Sequence, residues 1–97
     1  MEYANELKKT SFEIPDKFTV RKQLEFFSAT GDSSQPLFIR HWLGALTVIT
    51  NWKSEKIPDL DKLDIDNATD PDITDIVIWV GVTVVIHMNK LQDVPKN

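Results

Sequence analysis

The stretch that decides the fold is IVIWVGVTVVIHM, Ile76–Met88, which carries no charge and contains nine β-branched residues among its thirteen. It follows an acidic segment, Asp59–Asp75, that holds seven aspartates and one lysine. The chain has only 97 residues, so it has little interior in which to bury such a segment. Ile76–Met88 is therefore either the central element of the core or, in part, a surface that meets a partner.

The residues around this stretch predict a helix over 70–91. Asp70-Pro71-Asp72 is typical of a helix start, with an aspartate cap, a proline in the first position and an acid in the first turn. A stripe then recurs at helical spacing: Ile73, Val77, Val80, Val84, His87 and Leu91. Because β-branched residues favour strands, a strand over Val82–His87 is the alternative. We favour the helix, because burying one valine or isoleucine gains about 1.5–3 kcal/mol and the helix penalty of valine is about 0.5 kcal/mol.

Two further helices are predicted upstream. Thr19 is a suitable N-cap for a helix over 19–29, in which Val20, Leu24 and Phe27 share one face. Pro36 fits the start of a helix over 36–53. That helix has the clearest amphipathic stripe of the chain: Phe38, Trp42, Ala45, Ile49 and Trp52.

Together these elements predict a mainly α fold, a small bundle of three main helices. The alternation in Thr10–Ile14 before Pro15 also allows a short N-terminal strand at 10–14. We expect a single domain, 1–97, with a loose N-terminal arm at 1–9 and an acidic connecting loop at 54–69.

Composition argues against catalysis, cofactors and metals. The chain has no cysteine, which excludes disulfides, cysteine zinc sites and thiol nucleophiles. Its two histidines, His41 and His87, have no acids at a spacing that makes them converge, and the three glycines form no phosphate-binding loop. The pair Asp59-x-Asp61 lacks the further oxygen ligand and the glycine of a calcium loop. We therefore expect no enzyme activity, no cofactor and no metal.

The charge pattern argues against nucleic acid and membrane. The net charge of −4 comes from the segment 59–75, and no basic cluster of the kind that binds phosphate backbones is present. Asp75 and Lys90 bracket fourteen uncharged positions, fewer than the about 20 that a spanning helix needs. We therefore expect a protein partner, with a homo-oligomer as a further expectation.

The candidate interaction residues are Trp52, Trp79, Val82 and Ile86. Trp52 lies at a predicted helix end and Trp79 lies outside the main stripe, so core packing and interface contact both stay open for them. Ile76–Met88 is apolar nearly all round, more than a small bundle usually buries. We expect one face of this helix to pack on Phe38–Trp52 and another, near Trp79, Val82 and Ile86, to contact a partner or a second copy.

Three segments carry a family resemblance over about residues 12–97: FEIPDKFTVRKQLEFFSA, the middle helix with W-x-G-A and a following N-W-K, and ITDIVIWVGVTVVIHMNKLQDVPKN. In these the chain resembles the short tail assembly chaperones of long-tailed bacteriophages. The resemblance implies a small, acidic, largely helical protein of the host cytoplasm. Such a protein binds the hydrophobic tape measure protein, keeps it soluble, helps to recruit tail tube subunits and leaves before the tail is complete.

Two other functions fit the same sequence. One is a virion structural or connector protein whose apolar surface is buried in an oligomeric ring. The other is a small acidic inhibitor that places Asp59–Asp75 in a basic site on a host protein, which would make binding steeply dependent on salt.

Overall fold

The computed structural model describes residues 1–92. These residues form strands β1 (Glu2–Asn5) and β2 (Thr10–Glu13), helices α1 (Val20–Thr30) and α2 (Leu37–Val48), strand β3 (Thr50–Ser54) and helix α3 (Pro71–Gln92). A single turn of 3₁₀ helix, Leu60–Lys62, lies in the connection between β3 and α3. The three strands make one antiparallel sheet in the order β1-β2-β3.

The predicted mainly α bundle is wrong, because this sheet makes the fold a mixed α/β domain. The helix predicted over 36–53 ends at Val48, where Ile49 turns extended with ψ 150°. Asn51 then adopts a positive φ of 51°, which no helix contains. Trp52 therefore lies in β3 rather than at a helix end.

The N-terminal residues differ from the prediction as well. Residues 1–9, expected to be a loose arm, instead carry β1, whose Tyr3 lies opposite Phe12 of β2. Strand β2 falls within 10–14, where the alternation allowed a strand. Pairing with β2, rather than any strong strand pattern of its own, places β1 in the sheet.

The predicted helix over 70–91 is confirmed as α3, and the alternative strand over Val82–His87 is wrong. The side chain of Asp70 accepts a hydrogen bond from the backbone N–H of Asp72 at 2.9 Å, as an N-cap does. The first helix also agrees closely with its prediction. Thr19 caps α1 by accepting from the N–H of Lys22, and Gly31 ends it.

The core lies between the sheet, α2 and α3. Strand β2 contributes Phe12 and Ile14, and α3 contributes a stripe at helical spacing that is almost fully buried: Ile76, Val80, Val84 and Met88. Trp42 of α2 completes this cluster. Helix α3 is covered by α2 on one side and by the sheet on another. Two covering layers, rather than one, explain why α3 is apolar around most of its circumference.

Candidate protein-binding surfaces

Two of the predicted interaction residues, Trp52 and Trp79, pack on the inner side of the sheet. Both are half-buried, and both contact the ring of Phe12, with centroid distances of 6.4 Å and 5.3 Å. The indole N–H of Trp52 donates to the backbone carbonyl of Ile57 at 2.6 Å. The structure therefore brings the two tryptophans together around Phe12 and commits much of each ring to packing within the fold.

The other two predicted residues, Val82 and Ile86, lie on the side of α3 that faces away from the core. Ile86 is 51% exposed, and Val82 is partly exposed. Two partly exposed aliphatic residues, Ile78 and Val85, lie beside them at helical spacing. We call these four residues the outer face of α3. No charged residue occurs between Asp75 and Lys90. The four side chains of this face are aliphatic, and the exposed Asn89 lies beside them near the end of the helix.

A groove continues the outer face toward the start of α2. It has a volume of about 290 Å³, and its walls come from α2, from the β3–α3 connection and from the first turns of α3. Asp70 and Thr74 are its polar lining residues, and the apolar ones are Phe38, Ile39, Ile65, Ala68, Ile73, Val77 and Ile78. Ile78 belongs both to this apolar groove and to the outer face of α3. The two features therefore form one apolar surface, of which sequence reasoning found only the half on α3.

A second apolar surface lies on α1. The predicted stripe Val20, Leu24 and Phe27 does share one face, but that face points to solvent, with exposures of 71%, 60% and 38%. The buried residue of α1 is Phe26, which packs where Gly44 lets α2 come close, since a Cβ on Gly44 would lie 3.2 Å from the ring. We call Val20, Leu24 and Phe27 the α1 face.

Lysines of the fold neutralise the end of the acidic segment that begins α3. Lys8, in the β1–β2 turn, bonds Asp72 at 2.7 Å and Asp75 at 3.2 Å. Lys56 lies 3.0 Å from Asp70 and 3.4 Å from Asp72. The hydrogen bond from Lys8, followed by that from Lys56, lowers the pKa of Asp72. Asp70, Asp72 and Asp75 therefore form ion pairs within the chain. An acidic inhibitor would have to present these same carboxylates to its target.

Two aspartates earlier in the connection between β3 and α3 accept hydrogen bonds from nearby backbone N–H groups. Asp59 accepts from the N–H of Asp61, and Asp64 accepts from the N–H of Asp66 and from the side chain of Asn67. The hydrogen bond from Asn67 is the main cause that lowers the pKa of Asp64. These carboxylates shape the turns of the connection, as aspartates commonly do in loops.

The two histidines lie in different parts of the fold, with His87 buried and His41 partly buried. Nδ1 of His87 is 2.8 Å from the hydroxyl of Tyr3, and its buried Nε2 has no hydrogen-bond partner within residues 1–92. Burial, followed by the charge of the N-terminal ammonium, lowers the pKa of His87. His41 lies against Gly81, and burial, followed by the charge of Arg40, lowers its pKa. Residues 1–92 contain no group of three or more histidine, aspartate or glutamate residues placed to hold a metal ion.

Helix α3 also meets the length and hydropathy of a membrane-spanning helix over Pro71–Lys90, with a mean hydropathy of 1.5. The core helix of a water-soluble protein passes the same test. Of the most apolar window of this helix 28% is buried, including Ile76, Val80 and Val84, and aspartates of its first turn pair with Lys8 and Lys56. The absence of a membrane partner stays a prediction.

Comparison of the chain with protein-family models, with curated proteins and with solved structures returned no match. The expected relation to tail assembly chaperones, and the host cytoplasm as their location, therefore stay predictions. What the structure adds is a set of surfaces through which a protein partner could be bound.

Proposed function

We propose that this chain is a non-enzymatic bacteriophage tail assembly chaperone that binds the tape measure protein in the host cytoplasm and helps tail tube subunits to reach it. The observation that carries the proposal is the apolar surface formed by the groove and the outer face of α3. It lies on a domain with a net charge of −4, in which 27% of the residues are charged. A chaperone for a hydrophobic chain needs both features, because it must offer apolar contact and remain soluble.

The shape of this surface fits a helical segment of the partner. A groove beside an exposed helix accepts the apolar side chains that an amphipathic helix presents at successive turns. Phe38, which is 48% exposed, forms part of one wall, and Ile86 lies at the far end of the outer face. A helix bound between Phe38 and Ile86 would have its apolar side chains covered. Copies of the tape measure protein could then not aggregate through these side chains.

Co-expression of the chain with the tape measure protein of the same phage genome tests this proposal. The variant Ile86→Glu places a charge at the outer face of α3, and its exposed position keeps the expected effect on folding small. We expect the soluble yield of the tape measure protein to rise with the unaltered chain and to fall with Ile86→Glu. Trp79→Glu is less suitable, because Trp79 contacts Phe12 of the core.

The matched control is Leu7→Glu, which introduces the same charge at a leucine that is 94% exposed in the β1–β2 turn. We expect this control to keep the soluble yield unchanged. An Ile86→Glu protein that remains folded and keeps the tape measure protein as soluble as the unaltered chain does would show that the outer face of α3 is not the binding surface.

A further inference from the structure

We infer that the α1 face is the contact surface between two copies of this chain, which pack their α1 helices antiparallel about a twofold axis. This contact is separate from the apolar groove and the outer face of α3, so the inference does not depend on the proposed function. It rests on the exposure of the α1 face and on the charges beside it.

The α1 face is more exposed than a short amphipathic helix of a monomer normally leaves its apolar side. Val20 is 71% exposed and Leu24 is 60% exposed, whereas the face of α1 turned toward α2 buries Phe26 alone. Contiguous exposed apolar residues are a candidate surface for association. The three side chains form a small patch, so we expect a weak dimer whose formation depends on protein concentration.

The charges beside the patch select a second copy as its occupant. Arg21 and Glu25 are one helical turn apart and border the same shallow depression as Val20 and Leu24. Their side chains lie 3.4 Å apart within the helix, and Glu25 also lies 3.6 Å from Lys22, yet Arg21 remains 89% exposed. A guanidinium has five N–H donors, so the single contact with Glu25 leaves Arg21 able to bind another carboxylate.

An antiparallel pair of α1 helices makes these charges complementary. With the twofold axis near Gln23, Arg21 of one copy faces Glu25 of the other, and the reverse contact forms at the same time. The same arrangement brings Val20 of one copy close to Phe27 of the other. A parallel pair would instead bring the charged flank of one helix against the uncharged flank of its partner, which holds Gln23 and Thr30. Of the two arrangements, the antiparallel one both brings the apolar side chains together and places opposite charges face to face.

Sedimentation equilibrium over a wide range of concentrations measures the association. We expect a monomer–dimer equilibrium for the unaltered chain and a dimer dissociation constant at least about tenfold higher for Leu24→Glu. The matched control is Leu37→Glu, the same change at a helical leucine that is 52% exposed outside the α1 face. We expect this control to associate like the unaltered chain. Thermal unfolding followed by circular dichroism verifies that each variant is folded.

Charge exchange tests the antiparallel geometry. We expect Arg21→Glu and Glu25→Arg each to weaken the dimer, because like charges then face each other across the axis. The double variant Arg21→Glu/Glu25→Arg restores complementary pairs, so we expect it to recover dimerisation. The inference is wrong if the unaltered chain stays monomeric at the highest concentration, if folded Leu24→Glu associates normally, or if the double variant dimerises no better than the single ones.

Discussion

At the scale of single residues, the fold depends on the ring of Phe12. This fully buried side chain of β2 contacts Tyr3 of β1, Trp52 of β3 and Trp79 of α3, with centroid distances of 5.3–6.4 Å. One phenylalanine thus joins all three strands to the long helix. Trp52 and Trp79 are held against it, so part of each ring packs within the fold, and their contact with a partner stays a prediction.

His87 makes the stability of the protein dependent on pH. Its pKa is lowered below the ordinary value of 6.5 by burial and by the N-terminal ammonium, with Lys90 acting in the same direction and Asp16 opposing. The unfolded chain therefore binds a proton at a higher pH than the folded one does. The stabilisation is fully present well above the unfolded pKa of about 6.5, begins to be lost as the pH approaches that value, and is lost completely once the pH has fallen through the folded pKa.

We therefore expect the free energy of unfolding, measured by denaturant titration at several pH values, to decrease between about pH 7.5 and pH 5.5. Each unit by which the pKa of His87 is depressed corresponds to about 1.4 kcal/mol. His87→Gln removes this titration but leaves that of His41, whose pKa is lowered as well. We expect the variant to lose less stability over this range, and an equal loss would assign the pH dependence to other groups.

The sequence predicted that Val82 and Ile86 lie on a side of the helix away from α2. The reason is that a helix with apolar residues on every side leaves some of them exposed in a small domain. The sequence did not predict the position of Trp52. Its spacing from Ile49 fits a helix, but the helix ends at Val48 and Trp52 lies in a strand after Asn51, which has a positive φ. Sequence reasoning also missed the exposure of Leu24 on α1, since an amphipathic stripe alone does not say which of two neighbouring residues, Phe26 or Phe27, faces the core.

At the scale of elements, α2 and α3 approach each other closely at Gly81. A Cβ on Gly81 would lie 2.9 Å from the Cβ of His41 and 3.0 Å from the backbone nitrogen of Trp42. These atoms belong to or adjoin the α2 backbone, so they cannot move away by a change of rotamer. The glycine therefore sets the distance between the two helices of the core.

Gly81→Ala should consequently destabilise the protein, although alanine favours a helix over glycine by about 1 kcal/mol. We expect the free energy of unfolding to fall by about 1–3 kcal/mol, the usual cost of overpacking. Asn89→Ala, at an exposed position of the same helix, raises helix propensity without a clash and should leave stability unchanged or slightly higher. A Gly81→Ala protein as stable as this control would show that α2 and α3 can separate freely.

The elements that the sequence predicted are those with local signals. Thr19 and Gly31 delimit α1, and Asp70-Pro71 starts α3, because caps act through neighbouring backbone groups. Strands β1 and β3 had no such signal, whereas the alternation in Thr10–Ile14 indicated β2. Strand β1 has only Tyr3 as a large apolar residue, and β3 follows α2 without a turn, so both depend on pairing with β2, a contact between residues distant in sequence.

At the scale of the whole molecule, the domain has two apolar surfaces in different places. One is the groove with the outer face of α3, and the other is the α1 face. Packing against the sheet and α2 covers part of the apolar surface of α3, and the outer face of α3 together with Ile73 and Val77 in the groove stays partly exposed. A chain with two such surfaces can associate with itself and still bind a second protein.

The most direct test of the proposed binding surface is methyl NMR of the chain with its isoleucines labelled, free and in complex with a soluble fragment of the tape measure protein. We predict that the signals of Ile78 and Ile86 on α3 and of Ile65 in the groove change on binding. The signals of Ile14 and Ile57, buried beside the sheet, should stay in place. Binding that leaves Ile78 and Ile86 unchanged, or no binding at all, would contradict the account.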